Sequence, residues 1–169
     1  MGTCSFCKKN IGLLTKEYDC SVCGSHICAK CTHKWRENVP QLALILDRSP
    51  KLPFICIEGE TGYLPVCPAC LSTIEGMNYK YEWALSNCED VEIVSANYKG
   101  HKRYDPNSRI DVSSNSYKDR NEAKRELCAM AKYYGRDMII ECECEKQQHE
   151  DGNYIYNTWS YSGIAVNKQ

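Results

Sequence analysis

Residues 20–31 read Cys-Ser-Val-Cys-Gly-Ser-His-Ile-Cys-Ala-Lys-Cys, and this stretch decides the fold of the first part of the chain. It holds two Cys-x-x-Cys pairs that four residues separate. Another pair lies 12 residues before this stretch and another 35 residues after it, so the chain carries four identical pairs: Cys4/Cys7, Cys20/Cys23, Cys28/Cys31 and Cys67/Cys70. Each pair can offer two thiolates to one metal ion at about 2.3 Å, which is half of a tetrahedral site. The four pairs therefore predict two closed four-cysteine zinc sites of the structural kind.

The composition favours metal ligands over disulfides for these cysteines. The 169 residues are 43% hydrophobic and 25% charged, with a formal net charge of −1, which is typical of a globular chain and argues against coating of nucleic acid. The longest apolar run, residues 42–46, is too short to span a bilayer, and residues 1–4 lack the apolar core of a secretory signal. We therefore expect a cytoplasmic protein, in which paired cysteines bind metal more often than they form disulfides. The odd total of 13 cysteines also fits disulfides poorly.

The spacing also predicts which pairs share a metal ion. The short step from Cys23 to Cys28 makes it hard for the second and third pairs to close around one ion without strain. An interleaved cross-brace is favoured, in which the first pair joins the third and the second joins the fourth. One zinc would bind Cys4, Cys7, Cys28 and Cys31, and the other would bind Cys20, Cys23, Cys67 and Cys70. Cys56 is an alternative ligand, whereas His26 and His33 are not needed, because the cysteines complete both sites.

The stretch Cys20-Ser-Val-Cys23-Gly24-Ser-His-Ile-Cys28-Ala-Lys-Cys31 resembles the central motif of FYVE-type zinc fingers. The twelve-residue gap before it and the closing Pro65-Val66-Cys67-Pro68-Ala69-Cys70-Leu71 are also similar to that family. The resemblance covers about the first 76 residues. It implies a cross-braced, two-zinc fold with short hairpins and a terminal helix.

The lipid function of that family does not carry over with the spacing. Members that bind phosphoinositides have a basic, His-rich run before the second pair, where this chain has Lys16-Glu17-Tyr18-Asp19. They also have an Arg before the last pair, where Pro65 and Val66 stand here. Residues 1–76 contain eight Lys and Arg against seven Asp and Glu, and the thiolates add further negative charge. Binding of membrane lipid is therefore an alternative that the sequence does not favour.

The second half of the chain changes in character after residues 77–90, which we assign to a linker. Residues 91–98 read as a strand, residues 100–107 as a turn-rich connection and residues 108–114 as a second strand. Apolar residues at helical spacing predict a helix over 119–134, with Asp119 as its cap and Gly135 after its end. An alternating run at 138–145, a loop at 147–153 and a last strand at 154–166 follow.

The cysteines of this half can be interpreted in two ways. The alternation at 138–145 would place Met138, Ile140, Cys142 and Cys144 on one buried face and glutamates on the other. With these glutamates, Cys142 and Cys144 could form a soft-metal site, but the strand explains them as small buried hydrophobes. We favour the buried interpretation and extend it to Cys88 and Cys128.

The run Ala129-Met-Ala-Lys-Tyr-Tyr-Gly135-Arg-Asp-Met-Ile-Ile140, with Tyr161-Ser-Gly163-Ile-Ala-Val166, resembles the YbjQ-type family of small, dodecin-like α+β domains. The match covers about 80 residues and implies that fold, together with assembly into symmetric oligomers. The heavy-metal binding associated with the family is not carried over, because no ligand cluster can be named in these residues.

The sequence thus predicts an α+β protein. Residues 1–76 form a FYVE-like two-zinc domain, and residues 91–169 form an α+β domain with an antiparallel sheet and one main helix. The favoured function is a non-enzymatic adaptor or scaffold, with a zinc module that binds a protein partner and a second domain that oligomerises. A cross-brace ubiquitin ligase is an alternative, although ring-type ligases interpose a Cys-x-His segment that residues 23–28 do not match. No Ser/His/Asp set, paired-carboxylate motif or phosphate-binding glycine loop indicates another enzyme.

Overall fold

The computed structural model describes residues 2–12, 16–35, 64–98 and 103–169. The chain divides into two units, Met1–Tyr79 and Lys80–Gln169. Within the described ranges, no helix combines the length and the apolar character that crossing a membrane requires.

The described part of the first unit contains two small two-stranded sheets. Strand β1 (Glu17–Asp19) pairs antiparallel with β2 (His26–Cys28), and β3 (His33–Trp35) pairs antiparallel with β4 (Leu64–Val66). The connection between β1 and β2 contains Gly24 at φ +69°, a left-handed conformation that glycine adopts at little cost. The Gly24 N–H donates to the Cys20 carbonyl at 2.8 Å, which closes the turn around the second cysteine pair.

Helix α1 (Pro68–Ser86) begins directly after Cys67. Its first residue is a proline, which suits the first turn because the missing N–H would have no helical partner there. Residues 77–86 of the predicted linker at 77–90 continue this helix. Gly76 stood at the assumed boundary, but a single glycine inside a helix costs only about 1 kcal/mol relative to alanine and does not end it. The domain limits at 76 and 91 stay predictions.

Cysteines make up half of the buried core in the described part of the first unit. Its other fully buried members there are five aliphatic side chains, namely Ile11, Val22, Ile27, Val66 and Ile74. The buried cysteines all belong to the four pairs. Five aliphatic side chains alone give little hydrophobic stabilisation, and a bound metal is a common further source of stability in small units.

The second unit is built on a four-stranded sheet. Its strands are β5 (Glu92–Ser95), β6 (Tyr104–Ser113), β7 (Met138–Asp151) and β8 (Tyr154–Lys168), in the order β5-β7-β8-β6. Strand β8 pairs antiparallel with both β6 and β7, so these two strands run in the same direction on either side of it. Helix α2 (Arg120–Tyr133) connects β6 to β7 and packs on β8 and β6.

The antiparallel sheet predicted from the sequence is wrong in one respect, because β5 pairs parallel with β7 and the sheet is mixed. Parallel neighbours need a long crossover connection. Strand β6 and helix α2 lie between β5 and β7 in the chain and provide one. The prediction of one main helix is also incomplete, since Tyr81 and Ala84 of α1 are buried in the second unit.

The predicted helix at 119–134 agrees with α2 to within a residue at each end. The Asp119 side chain accepts a hydrogen bond from the Asn121 N–H at 2.7 Å, as an N-cap does. Gly135 at φ +69° follows the end, where the Arg136 N–H donates to the Ala131 carbonyl at 2.9 Å. The helix buries Ala123, Leu127, Met130 and Ala131, which are apolar residues at the helical spacing that predicted it.

Strand β7 does not keep the predicted alternation. Ile140 pairs with Ile164 and Glu143 pairs with Ser162, so residues 141 and 142 stand opposite Gly163 alone and form a bulge. Glu141 has φ +54° there. Because Ile140 pairs with Ile164 and Cys144 pairs with Tyr161, three residues away on β8, the bulge places Cys144 on the face opposite to Ile140, against the prediction. Cys142 is buried but Cys144 is exposed, which corrects the prediction that both are buried.

The loop predicted at 147–153 is also wrong. Strand β7 continues to Asp151, and β8 begins at Tyr154 after a two-residue turn. The segment is polar, but it finds partners along β8, from Lys146 opposite Trp159 to Asp151 opposite Tyr154. Pairing across a hairpin therefore decides the conformation of a segment whose composition indicates a loop.

Candidate metal centres

The first group of thiols joins two distant pairs. Cys4 and Cys7 lie on a turn before β1, and Cys28 and Cys31 lie at the end of β2 and just beyond it. The four Sγ atoms all lie within 4.8 Å of one another, and the Cys7 and Cys28 Sγ atoms are 3.9 Å apart. A zinc tetrahedron with bonds of about 2.3 Å has S–S edges of roughly 3.8 Å. The group therefore has the size of a metal site.

The second group is built in the same way. Cys20 and Cys23 lie on the turn after β1, and Cys67 and Cys70 lie at the junction of β4 and α1. Their Sγ atoms also lie within 4.8 Å of one another, with 3.9 Å between those of Cys23 and Cys67. The first pair thus meets the third and the second meets the fourth, which is the interleaved grouping that defines a cross-brace.

Backbone N–H groups point at corresponding thiols in the two groups. The Cys28 N–H donates to the Cys4 Sγ at 3.4 Å, and the Cys67 N–H donates to the Cys20 Sγ at 3.3 Å. In both groups the donor is the first cysteine of the later pair, and the acceptor is the first cysteine of the earlier pair. Such hydrogen bonds favour the thiolate, which is the form that binds metal.

The turns behind these pairs also correspond. The Lys8 N–H donates to the Cys4 carbonyl at 2.9 Å, as the Gly24 N–H does to the Cys20 carbonyl. Lys8 and Gly24 both adopt positive φ, at 61° and 69°. A left-handed residue after the second cysteine therefore turns the chain in both groups, and at Lys8 a non-glycine residue accepts that conformation.

The pKa values of the thiols indicate that a bound cation would be needed to ionise all four cysteines of a group. Hydrogen bonds from the backbone of Cys28 and Cys7 lower the pKa of Cys4 to about 6. Burial and the Cys7 side chain raise the pKa of Cys31, in the same group, to about 12. In the second group, burial raises the pKa of Cys70. Four close thiolates repel one another, so a divalent cation between them is what would stabilise all four in the ionised form.

Ser25 is a residue of the second site that the sequence analysis missed. Its hydroxyl oxygen lies 3.1 Å from the Cys23 Sγ. Burial opposes ionisation of Cys23, but hydrogen bonds from Ser25, together with those of Cys70 and Cys20, lower the pKa of Cys23 to about 7. A hydroxyl residue two positions after the second cysteine of a pair is the sequence signal that could have revealed it.

His26 lies outside both groups. Its Nδ1 is 3.0 Å from the Asp19 carboxylate and its Nε2 is 2.9 Å from the Glu17 carboxylate. Hydrogen bonds to Asp19 and Glu17 raise the pKa of His26. Both ring nitrogens are thus engaged with acids, and His33 belongs to neither group either.

The other cysteines do not join a third group within the described residues. Cys88, Cys128 and Cys142 are buried in the second unit, in agreement with their interpretation as small hydrophobes, and Cys144 is exposed. Cys56, the alternative ligand, lies outside the residues that the structure describes.

Comparison of the chain with protein families, with curated proteins and with solved structures finds no match. No family match therefore supports the resemblance to FYVE-type zinc fingers or to the YbjQ-type family. The fold and the site together define an α+β protein with two groups of four cysteines, each of which could hold a metal ion. They are consistent with a cross-brace zinc module.

Proposed function

We propose that the two cysteine groups bind two structural zinc ions and that the chain is a non-enzymatic adaptor. The observation that supports this proposal most directly is that both groups are complete four-ligand sites. Each offers four thiols within 4.8 Å of one another, so a tetrahedral ion would have no position left for water or substrate. An all-thiol donor set fits zinc, and also iron, better than magnesium or calcium. An ion held in this way stabilises the fold and does not activate water.

Metal content tests the first half of this proposal. Elemental analysis of the purified chain is expected to find two zinc ions per chain. Cys20→Ser should lower the content, because it removes a ligand of the second group, whereas Cys144→Ser should leave two zinc ions, because Cys144 belongs to neither group. One zinc per wild-type chain, or iron in place of zinc, would contradict the assignment.

The surface of the zinc module supports a protein partner over a phosphoinositide. The side chains of Glu17 and Asp19 are 52% and 76% exposed, and their carboxylates flank His26, at the position where a phosphoinositide site needs a basic run. They would repel phosphate. Phe6, on the turn between Cys4 and Cys7, is 52% exposed and offers an aromatic contact of the kind that interfaces use.

Three measurements on the zinc-loaded chain compare the candidate functions. We expect a partner protein captured by the wild-type chain to be lost with Phe6→Ala and kept with Lys9→Ala, an exposed residue of the same turn region. Faster discharge of a ubiquitin-loaded conjugating enzyme would support the ligase instead. Flotation with vesicles that contain phosphoinositide, but not with neutral vesicles, would support the lipid alternative.

The second unit is proposed to assemble copies of the chain. The support is the resemblance of residues 91–169 to a family of small oligomers. Light scattering of the full chain should give a mass above the 19.3 kDa of one chain. A clean monomer would remove the scaffold part of the proposal and leave the zinc module unaffected.

A further inference from the structure

The second unit contains an open cavity that the zinc proposal does not use. It has a volume of about 520 Å³ and lies between the N-terminal part of α2, strand β5 with the turn that follows it, and strands β7 and β8. Ligand pockets in proteins span roughly 300–1,000 Å³, so the cavity has the size of a small metabolite. Residues that line it include Arg120, Lys124, Cys144, Tyr161, Glu143 and Ile93.

Two cations of α2 face this cavity. Arg120 is the first residue of the helix, and Lys124 follows four residues later, so both lie on one side of it. Among the described residues that line the cavity, Glu143 is the one acid. A cation in the first turn opposes the helix dipole and destabilises the helix. Arg120 therefore lowers the stability of α2 at a place where it adds positive charge to the cavity.

The Arg120 side chain is held in place. Its Nε donates to the Tyr161 hydroxyl at 2.7 Å, and its guanidinium carbon lies 6.0 Å from the centre of the Tyr161 ring. The guanidinium also interacts with the Cys144 side chain, so the cation lies directly beside this thiol. A guanidinium held in this way can bind a carboxylate or phosphate through its N–H groups. The Tyr161 side chain is buried and gives the guanidinium a fixed support.

A thiol lies beside the two cations. Cys144 is opposite Tyr161 in the β7–β8 pairing and lines the cavity. The bulge at residues 141–142 places it on the face that lines the cavity. Cys144 is exposed there, whereas Cys142 lines the same cavity but is buried. Burial raises the pKa of Cys142, and the charge of Lys124 opposes that rise, which agrees with a lysine close to these cysteines.

We propose that this cavity binds a small organic anion. Arg120 and Lys124 hold its carboxylate or phosphate group, and its apolar part lies against Ile93, with the thiol of Cys144 within reach. The proposal is independent of the zinc sites, which lie in the other unit.

Alkylation of Cys144 tests the proposal on the full, zinc-loaded chain. Iodoacetate is a small anion, and iodoacetamide is its neutral analogue. With either reagent the Cys144 thiolate attacks the methylene carbon, a C–S bond forms, iodide leaves with the bonding electron pair of the C–I bond, and the thiol proton goes to solvent. Mass spectrometry of the peptide that contains residues 142 and 144, with fragmentation to separate them, gives the rate at Cys144 for each reagent.

The readout is the rate with iodoacetate divided by the rate with iodoacetamide. We expect this ratio at Cys144 to exceed that of a short cysteine peptide by about fivefold, the change produced by roughly 1 kcal/mol of attraction from a charge a few ångströms away. Lys124→Gln should lower the ratio towards the peptide value, and Lys124→Arg, which keeps the charge, should preserve it. Arg103→Gln is the matched control, because it removes the charge of an exposed arginine that does not line the cavity.

A ratio equal to that of the peptide would overturn the proposal, and so would an equal fall in Lys124→Gln and Arg103→Gln, since the effect would then come from net charge alone. Protection identifies the anionic group. If succinate slows the reaction of Cys144 with iodoacetamide more than inorganic phosphate does, the site is a carboxylate site, and the reverse order makes it a phosphate site.

Discussion

Removal of the metal ions with a chelator is expected to unfold the first unit and to leave the second unit folded. Among the described residues of the first unit, the buried core holds five aliphatic side chains besides cysteines. In zinc-finger peptides, metal binding supplies roughly 10–16 kcal/mol, which exceeds the whole stability of many small domains. The second unit has its own buried residues in α2 and the sheet and needs no metal for them.

Hydrogen exchange measures this difference along the chain. After chelation, amides at residues 20–31 and 64–74 should lose protection, while those of α2 and of residues 138–144 should keep it. Cys20→Ser should reproduce the loss without chelator, and Cys144→Ser should not. The two units meet between Tyr79 and Lys80, inside helix α1, so protection should change within that helix. If chelation melts both units together, the chain is one cooperative unit.

The second large effect is expected from Gly163→Ala in strand β8. Gly163 stands opposite the bulge in β7, where the backbone comes close. A Cβ at this position would lie 2.7 Å from Cγ2 of Ile139 and 3.1 Å from the carbonyl oxygen of Ile140. Ile139 is fully buried and β-branched, so it has little freedom to move away. We expect the free energy of unfolding of the second unit to fall by about 1–3 kcal/mol.

Denaturant unfolding of the zinc-loaded chain, followed by a probe in the second unit, measures this loss. Ser162→Ala is the matched control, because Ser162 is the exposed neighbour on the same strand and its substitution should change stability little. Adding Ile139→Ala removes the methyl group that the new Cβ would meet, so the double variant should be more stable than the sum of the two single changes predicts. A neutral Gly163→Ala would show that β8 can shift away from the bulge.

The parts of the fold that could be predicted from the sequence depend on residues close together in the chain. The Cys-x-x-Cys spacing is local, and so are the Asp119 cap and the Gly135 terminus of helix α2. The grouping of the cysteines was also predictable, because a connection of four residues between Cys23 and Cys28 leaves few ways to build two tetrahedral sites. The bounds of α2 therefore followed from the sequence to within a residue.

The two groups of cysteines that could hold metal ions, helix α2 and the α+β class were thus all predictable from the sequence. Only the tertiary structure decided that β5 runs parallel to β7, that β7 bulges opposite Gly163 and that Cys144 reaches a cavity beside Arg120. The physical reason is that these features depend on partners far away in the chain. The bulge shifts the register after residue 141, so Cys144 lies on the face opposite to Ile140, although simple alternation predicted the same face for both. Pairing with β8 likewise made a strand of polar residues 147–151.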